Sequence, residues 1–262
     1  MAYIEFNALS VYLGGSFSAK VFLPEMDKLE LDDSGHKKSY PVLWLLHTNG
    51  GNALDWLRTP AEQCAIDNGI FIIAPDVGHT LCTNMEYGAP YERFMYEEFP
   101  AICKNTFPIS GNLELNWIGG VGTGAYGAAK MAIKHPDVFS KCLIFDGYLD
   151  MKKICDRAII GEQTGIHHTK ASLEAVFGEL EEFMGSENDI FTEVSSAKAG
   201  EFYMSCSKDS KNLEEYKVFA ELLGEKTIFD EGDYKADDLV LEEALPRAVG
   251  WACKKAKWAE KE

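Results

Sequence analysis

Short, continuously apolar runs recur along the chain between stretches of helical periodicity. Pro41–His47 reads PVLWLLH and Ile70–Ala74 reads IFIIA; Leu115–Ile118, Ser140–Asp146, Glu201–Cys206 and Lys226–Asp230 follow. Runs this short and this apolar suit strands buried on both faces. Between them, Tyr91–Lys104 sets Tyr91, Phe94, Met95 and Phe99 near helical spacing. Ala53–Asp67 is helical in character but broken by Pro60. Ala125–Lys134 is rich in alanine and stopped by Pro136, and Leu213–Leu223 is a further helix. Leu239–Lys257 closes the chain as a helix that Pro246 should bend. Tyr3–Leu9 and Val11–Leu23 form an opening antiparallel pair, punctuated by Gly14-Gly15 and Pro24.

Strands alternating with helices imply an α/β fold: a mostly parallel, doubly wound sheet flanked by helices. Residues 1–262 form one domain, within which 151–200 is a cap-like excursion over the sheet and Met26–Tyr40 a polar loop. Ligands of such sheets sit beyond the carboxyl ends of the strands. His47-Thr48-Asn49, Gly120–Gly124, Ser207–Asp209 and Glu231–Asp238 should therefore line one crevice.

Charge narrows the partners. The 262 residues carry 25 basic and 42 acidic side chains, a formal charge of −17. Such a surface repels phosphate backbones and anionic lipid, so neither nucleic acid nor a membrane is expected as a partner. The seven cysteines are widely spaced, with no C-x-x-C pair. They suggest neither a zinc cluster nor a redox motif, and no metal or cofactor is expected. Reduced, packed thiols fit a cytoplasmic location. Met1–Val11 reads as a strand rather than a leader, and no spanning segment stands out.

The chemistry-bearing feature is the glycine-rich turn between Leu115–Ile118 and Ala125–Lys134. Gly120-Val121-Gly122-Thr123-Gly124 lacks the spacing of a dinucleotide turn, and no Walker lysine follows. It does match the frame of a nucleophile elbow, G-x-S-x-G, with Gly122 where serine should stand. The surrounding residues strengthen that match. They are PVLWLLH (41–47), Asn49-Gly50-Gly51-Asn52 with Asp55-Trp56, APD (74–76), Thr83-Asn84-Met85 with Tyr87-Gly88, and FPIS (107–110). Beyond the turn come Ala125-Tyr126-Gly127-Ala128, His135–Phe139, Gly185–Asp189 and Ser205–Asp209. Through these motifs, and over nearly its whole length, the chain resembles the α/β-hydrolase esterases of the esterase D, S-formylglutathione hydrolase and acetyl or tributyrin esterase group. It is most similar to the bacterial acetyl esterases.

The resemblance implies a serine triad that hydrolyses short-chain carboxylic esters, with Asp209 as the acid. The histidine position falls in Gly232–Asp237 and holds Ala236, so Gly122 and Ala236 replace nucleophile and base. Without them no acyl-enzyme forms and no imidazole shuttles the proton. In subtilisin, the type case, losing either group costs about 10⁶ in turnover. The oxyanion hole implied by the family would use backbone N–H groups of Thr123 and Asn49. Thr48 stands where relatives have glycine, which narrows the approach. The expectation is a degenerate triad: a pseudoenzyme that binds a small-molecule ester or acyl ligand, or a protein partner. Self-association into a homo-oligomer is common in this group. Two other readings stay open. One is an active ester hydrolase with relocated groups, His79 and Cys82. The other is an engineered inactive esterase. Thr123 has no base placed for it, and His167-His168 lack a carboxylate partner for a metal. His47 should support the oxyanion loop, His135 the end of a helix, and Trp44, Trp117 and Trp251 the core.

Overall fold

The structure, a computed structural model, describes residues 3–25, 39–195, 200–234 and 237–255. Its eight strands are β1 (Tyr3–Ser10), β2 (Gly15–Phe22), β3 (Val42–Leu46), β4 (Phe71–Pro75), β5 (Asn116–Val121), β6 (Lys141–Phe145), β7 (Glu201–Ser207) and β8 (Thr227–Gly232). The helices are α1 (Ala61–Asn68), α2 (Tyr91–Arg93), α3 (Phe99–Thr106), α4 (Thr123–Lys134), α5 (Met151–Ile159), α6 (Lys170–Phe177), α7 (Ile190–Glu193), α8 (Leu213–Leu223) and α9 (Asp237–Lys255).

All eight strands form one sheet in the order β1-β2-β4-β3-β5-β6-β7-β8. The β1–β2 and β2–β4 pairings are antiparallel. From β4 to β8 the sheet is parallel, as the doubly wound reading requires. β3, β4 and β6 are buried throughout, and β5 up to its half-buried last residue, Val121, because helices cover both faces. One face packs Trp44, Ile118, Ile144 and Met204 against α3, α4 and α8. The other packs Leu43, Ile72, Trp117 and Leu143 against α1 and α9. Chain order reverses between β3 and β5. The crevice beyond their carboxyl ends is thus the switch point at which such sheets hold ligands.

Local chemistry moves several helix boundaries. Pro60 does divide the 53–67 segment: a 3₁₀ turn, Ala53–Arg58, precedes α1. Asn52 caps that turn, accepting from the Leu54 N–H at 2.8 Å. The expected helix over 91–104 is interrupted by a π turn, Phe94–Glu98, between α2 and α3. Pro246 lies inside an unbroken α9. Of the three tryptophans assigned to the core, Trp44 and Trp117 are fully buried, and Trp251 is half-buried. The segment 26–38 of the polar loop and Ala236 lie outside the described residues. No helix among those described is long and apolar enough to cross a membrane.

Candidate active site

The turn from β5 into α4 has the backbone of an elbow. Gly122 sits at φ +61°, ψ −123°, between the last strand residue and the first helical one. That φ is open to glycine and costs other residues on the order of 1–3 kcal/mol. The flanking glycines are fixed by packing. A Cβ on Gly124 would meet the carbonyls of Leu46 and His47, the latter at 2.6 Å, and one on Gly120 would strike the Gly124 carbonyl. β3, β5 and α4 therefore meet backbone to backbone, as the G-x-x-x-G frame demands.

Thr48 fills the space above Gly122. A Cβ built on Gly122 would lie 2.7 Å from Thr48 Cβ and closer still to Thr48 Oγ1. A serine at 122 and the Thr48 side chain in this position exclude each other. The two backbone donors expected to form the oxyanion hole are adjacent, as the sequence implies, but both are taken. The Thr123 N–H donates to Thr48 Oγ1 at 3.4 Å. The Asn49 N–H donates to Thr123 Oγ1 at 2.6 Å. Two threonine hydroxyls thus occupy both N–H groups that the resemblance points to as oxyanion donors. Thr123 is buried, 3% exposed, so its hydroxyl is a fixed part of this closure.

His47 holds the Thr48 turn from below. The Val77 N–H donates to His47 Nε2 at 3.1 Å. That assigns the proton to Nδ1, which donates to the Thr48 carbonyl at 2.9 Å. The Asp76 carboxylate also lies 3.4 Å from Nε2, so this buried imidazole ties the Thr48 turn to the loop after β4. Asp146, at the end of β6, also ties the site together. Its carbonyl accepts from the Gly122 N–H at 3.3 Å. Its carboxylate accepts from Ser210 Oγ at 2.7 Å and Asn212 Nδ2 at 3.2 Å.

Asp209 lies just past β7, on the loop that Asp146 anchors, and is exposed. Its backbone N–H donates to Ser207 Oγ at 3.4 Å, and its carboxylate has no partner among the described residues. The loop after β8, which leads to position 236, is tied down by Tyr234. The Tyr234 carbonyl accepts from Ser207 Oγ at 3.2 Å. Its hydroxyl lies 2.9 Å from Ser205 Oγ and is also reached by Arg247, which pairs with Asp230 at 3.1 Å. Among the described residues these two loops are thus held together through Ser205, Ser207 and Tyr234.

Cys82 and His79 are not brought together. Cys82 is 2% exposed, and burial pushes its thiol up to about 12. A thiol in that state is not a nucleophile. Its Sγ faces α4, 3.2 Å from where a Cβ on Gly127 would stand. The His79 ring instead stacks on His167, with centroids 3.4 Å apart. His135, placed at a helix end by the sequence, lies 3.2 Å from Glu92 and stacks on Tyr96. Among the described residues no group of three or more His, Cys, Asp or Glu could hold a metal ion.

The sequence shows Thr48 narrowing the approach, but not the two threonine hydroxyls on the donor N–H groups. The signal of this closure is a reciprocal exchange: glycine where the family has serine, and a β-branched residue where it has glycine.

Comparisons with known proteins agree with this architecture. Residues 10–244 match the family described as "Putative esterase". An acetyl esterase from Caldicellulosiruptor saccharolyticus is 23% identical over 97% of this chain and 99% of that one. The substrate-bound structure of FphF, a fluorophosphonate-binding serine hydrolase of Staphylococcus aureus, superposes with a TM-score of 0.82. It shares 24% identity, covering 96% of this chain and 98% of the other. The S-formylglutathione hydrolase FrmB of S. aureus superposes at 0.78, again with 24% identity and with 96% and 98% covered. With the family matched over most of its length and the sheet, elbow and loops in the expected order, this chain belongs to the esterase family of α/β-hydrolases.

Proposed function

We propose that this protein is a non-hydrolysing member of the esterase family, which uses the crevice over the elbow to bind rather than to cleave. The observation that carries this reading is the closure at Gly122. Acyl transfer needs a nucleophile, a base and free N–H donors for the developing oxyanion. Position 122 has no side chain, Thr48 occupies the space its side chain would need, and both donor N–H groups are bonded to threonine hydroxyls. Ala236 supplies no imidazole. His47, beneath the Thr48 turn, is held by the Thr48 carbonyl and the Val77 N–H, with the Asp76 carboxylate 3.4 Å from its Nε2.

Loss of one group would leave residual catalysis from the oxyanion hole, worth about 10³ over water. Occupied donors remove that remainder as well. A small ester or acyl compound that rests against the hydroxyls of Thr48 and Thr123 fits the remaining chemistry. The test pairs a fluorophosphonate probe, read by intact mass, with turnover of p-nitrophenyl acetate. The reading requires no adduct and no turnover above free hydrolysis. One adduct per chain, or turnover near the ~10 s⁻¹ usual for enzymes, would overturn it.

A further inference from the structure

Three consecutive residues of the segment between α5 and α6 each touch a different loop around the crevice. Ile166 leans on the loop after β3: a Cβ on Gly50 would come within 3.0 Å of its Cδ1. His167 stacks on His79, in the loop after β4, at 3.4 Å between centroids and 25° between planes. The His168 ring meets Tyr148, in the loop after β6, edge-on at 5.4 Å. Tyr148 in turn donates its N–H to the Gly122 carbonyl at 3.2 Å. The segment therefore forms a strap across the loops that frame the elbow.

The strap is held by few and conditional contacts. Its body is polar and half-exposed, His167 takes φ +60° without being glycine, and Ile166 is 61% exposed. Two of its three anchors are imidazoles. We infer that this strap is a proton-operated gate over the crevice, closed by the His79–His167 stack and released when His79 takes up a proton. The inference rests on the crevice being the binding site.

The charges that face the pair fix the sign. Burial first, then His167 and His47, hold His79 below the ordinary imidazole value, while Asp76 pulls the other way. Burial, Lys211 and His167 likewise lower His168. His168 Nδ1 meets Thr164 Oγ1 at 2.9 Å, while its Nε2 is buried without a hydrogen-bond partner. A base held below its ordinary value in the closed state favours closure above that value. Closure then weakens as pH falls through ~6.5 and below.

Amide hydrogen exchange tests this without any ligand, so its outcome is independent of whether the protein hydrolyses esters. Exchange is followed at pH 7.5 and 5.0, corrected for intrinsic rates, with peptides of β5 and α4 as the internal reference. Protection of residues 162–169 and 48–51 should fall about tenfold on acidification. His79→Gln and His167→Gln, which keep a planar group but do not titrate, should flatten that dependence while α4 stays protected. A pH-independent strap, or an unchanged pH dependence in both variants, would overturn the inference.

Discussion

Helix α4 presents two contrasting environments along its length. At its N-terminus glycine stands at the elbow position, and threonine hydroxyls fill the space beside it. Two turns on, Lys130 sits fully buried in a saturated polar cluster. Its Nζ donates to Thr83 Oγ1 at 2.9 Å and Asn188 Oδ1 at 2.7 Å, and pairs with Glu92 at 3.0 Å. Glu92 also takes Lys134 at 2.8 Å and His135 at 3.2 Å. Burial draws the lysine down to about 8 against the pull of Glu92. Burial raises the Glu92 carboxyl, but His135, Lys130 and Lys134 outweigh it and hold it well below the usual carboxylate range. The cluster joins α2, α4, the loop after β4 and the cap-like excursion. One end of the helix carries no side chain at its elbow position, while the other keeps a buried ion cluster intact. The difference separates what the fold requires from what catalysis requires.

The largest effect should come from breaking the intact end. Lys130→Ala takes one of the three cationic partners from buried Glu92 and strands Thr83 and Asn188, and breaking a buried pair costs about 3–5 kcal/mol. Urea unfolding should show it as a lower midpoint at unchanged slope. A change under about 1 kcal/mol would mean that water or Lys134 compensates.

At the other end, Gly122→Ser forces a side chain into Thr48 at a positive-φ position. It should cost about 1–3 kcal/mol. Adding Thr48→Gly should recover most of the packing part, so the two changes are strongly non-additive in thermal unfolding. Simple additivity would show that Thr48 moves aside freely.

Thr123→Ala removes the acceptor of the Asn49 N–H. Because the turn is partly open to water, a loss of about 1 kcal/mol is expected. The same variant should speed amide exchange at Asn49.

The smallest effect is on pH dependence. Glu92, held low in the folded protein, contributes stability above the ordinary glutamate value of ~4.3. That contribution is lost as pH falls from there toward its lowered value. Glu92→Gln should therefore flatten the acid limb of the unfolding free energy between about pH 5 and 3. An acid limb of the same slope would place that proton elsewhere.

The contrast also explains what was legible in the sequence. Buried parallel strands are recognisable from apolar runs such as PVLWLLH, and β3–β8 lie where those runs fall. The esterase resemblance was carried largely by scaffold residues. Thr83 and the Gly185–Asp189 segment matter because Thr83 and Asn188 feed the Lys130 cluster. Lys130 itself carried no signal, since a lysine in an alanine-rich helix reads as a solvated face. Position 122 was readable because the elbow has a fixed frame. The strap was not, because its contacts lie between loops far apart in sequence. The filled oxyanion site was only half readable. That Thr48 replaces glycine is visible in the chain, but its Oγ1 accepting from Thr123 depends on a backbone turn that periodicity does not specify.

Restoration tests the central claim most directly: that Thr48, and not only the missing nucleophile and base, closes the site. Gly122→Ser with Ala236→His is compared with the same pair plus Thr48→Gly, in turnover of p-nitrophenyl acetate. The Thr123 N–H that Thr48→Gly frees is worth about 10²–10³ in turnover, so the triple variant should exceed the double by that factor, with the double near background. A double variant as active as the triple would show that the threonine hydroxyl does not block the oxyanion site.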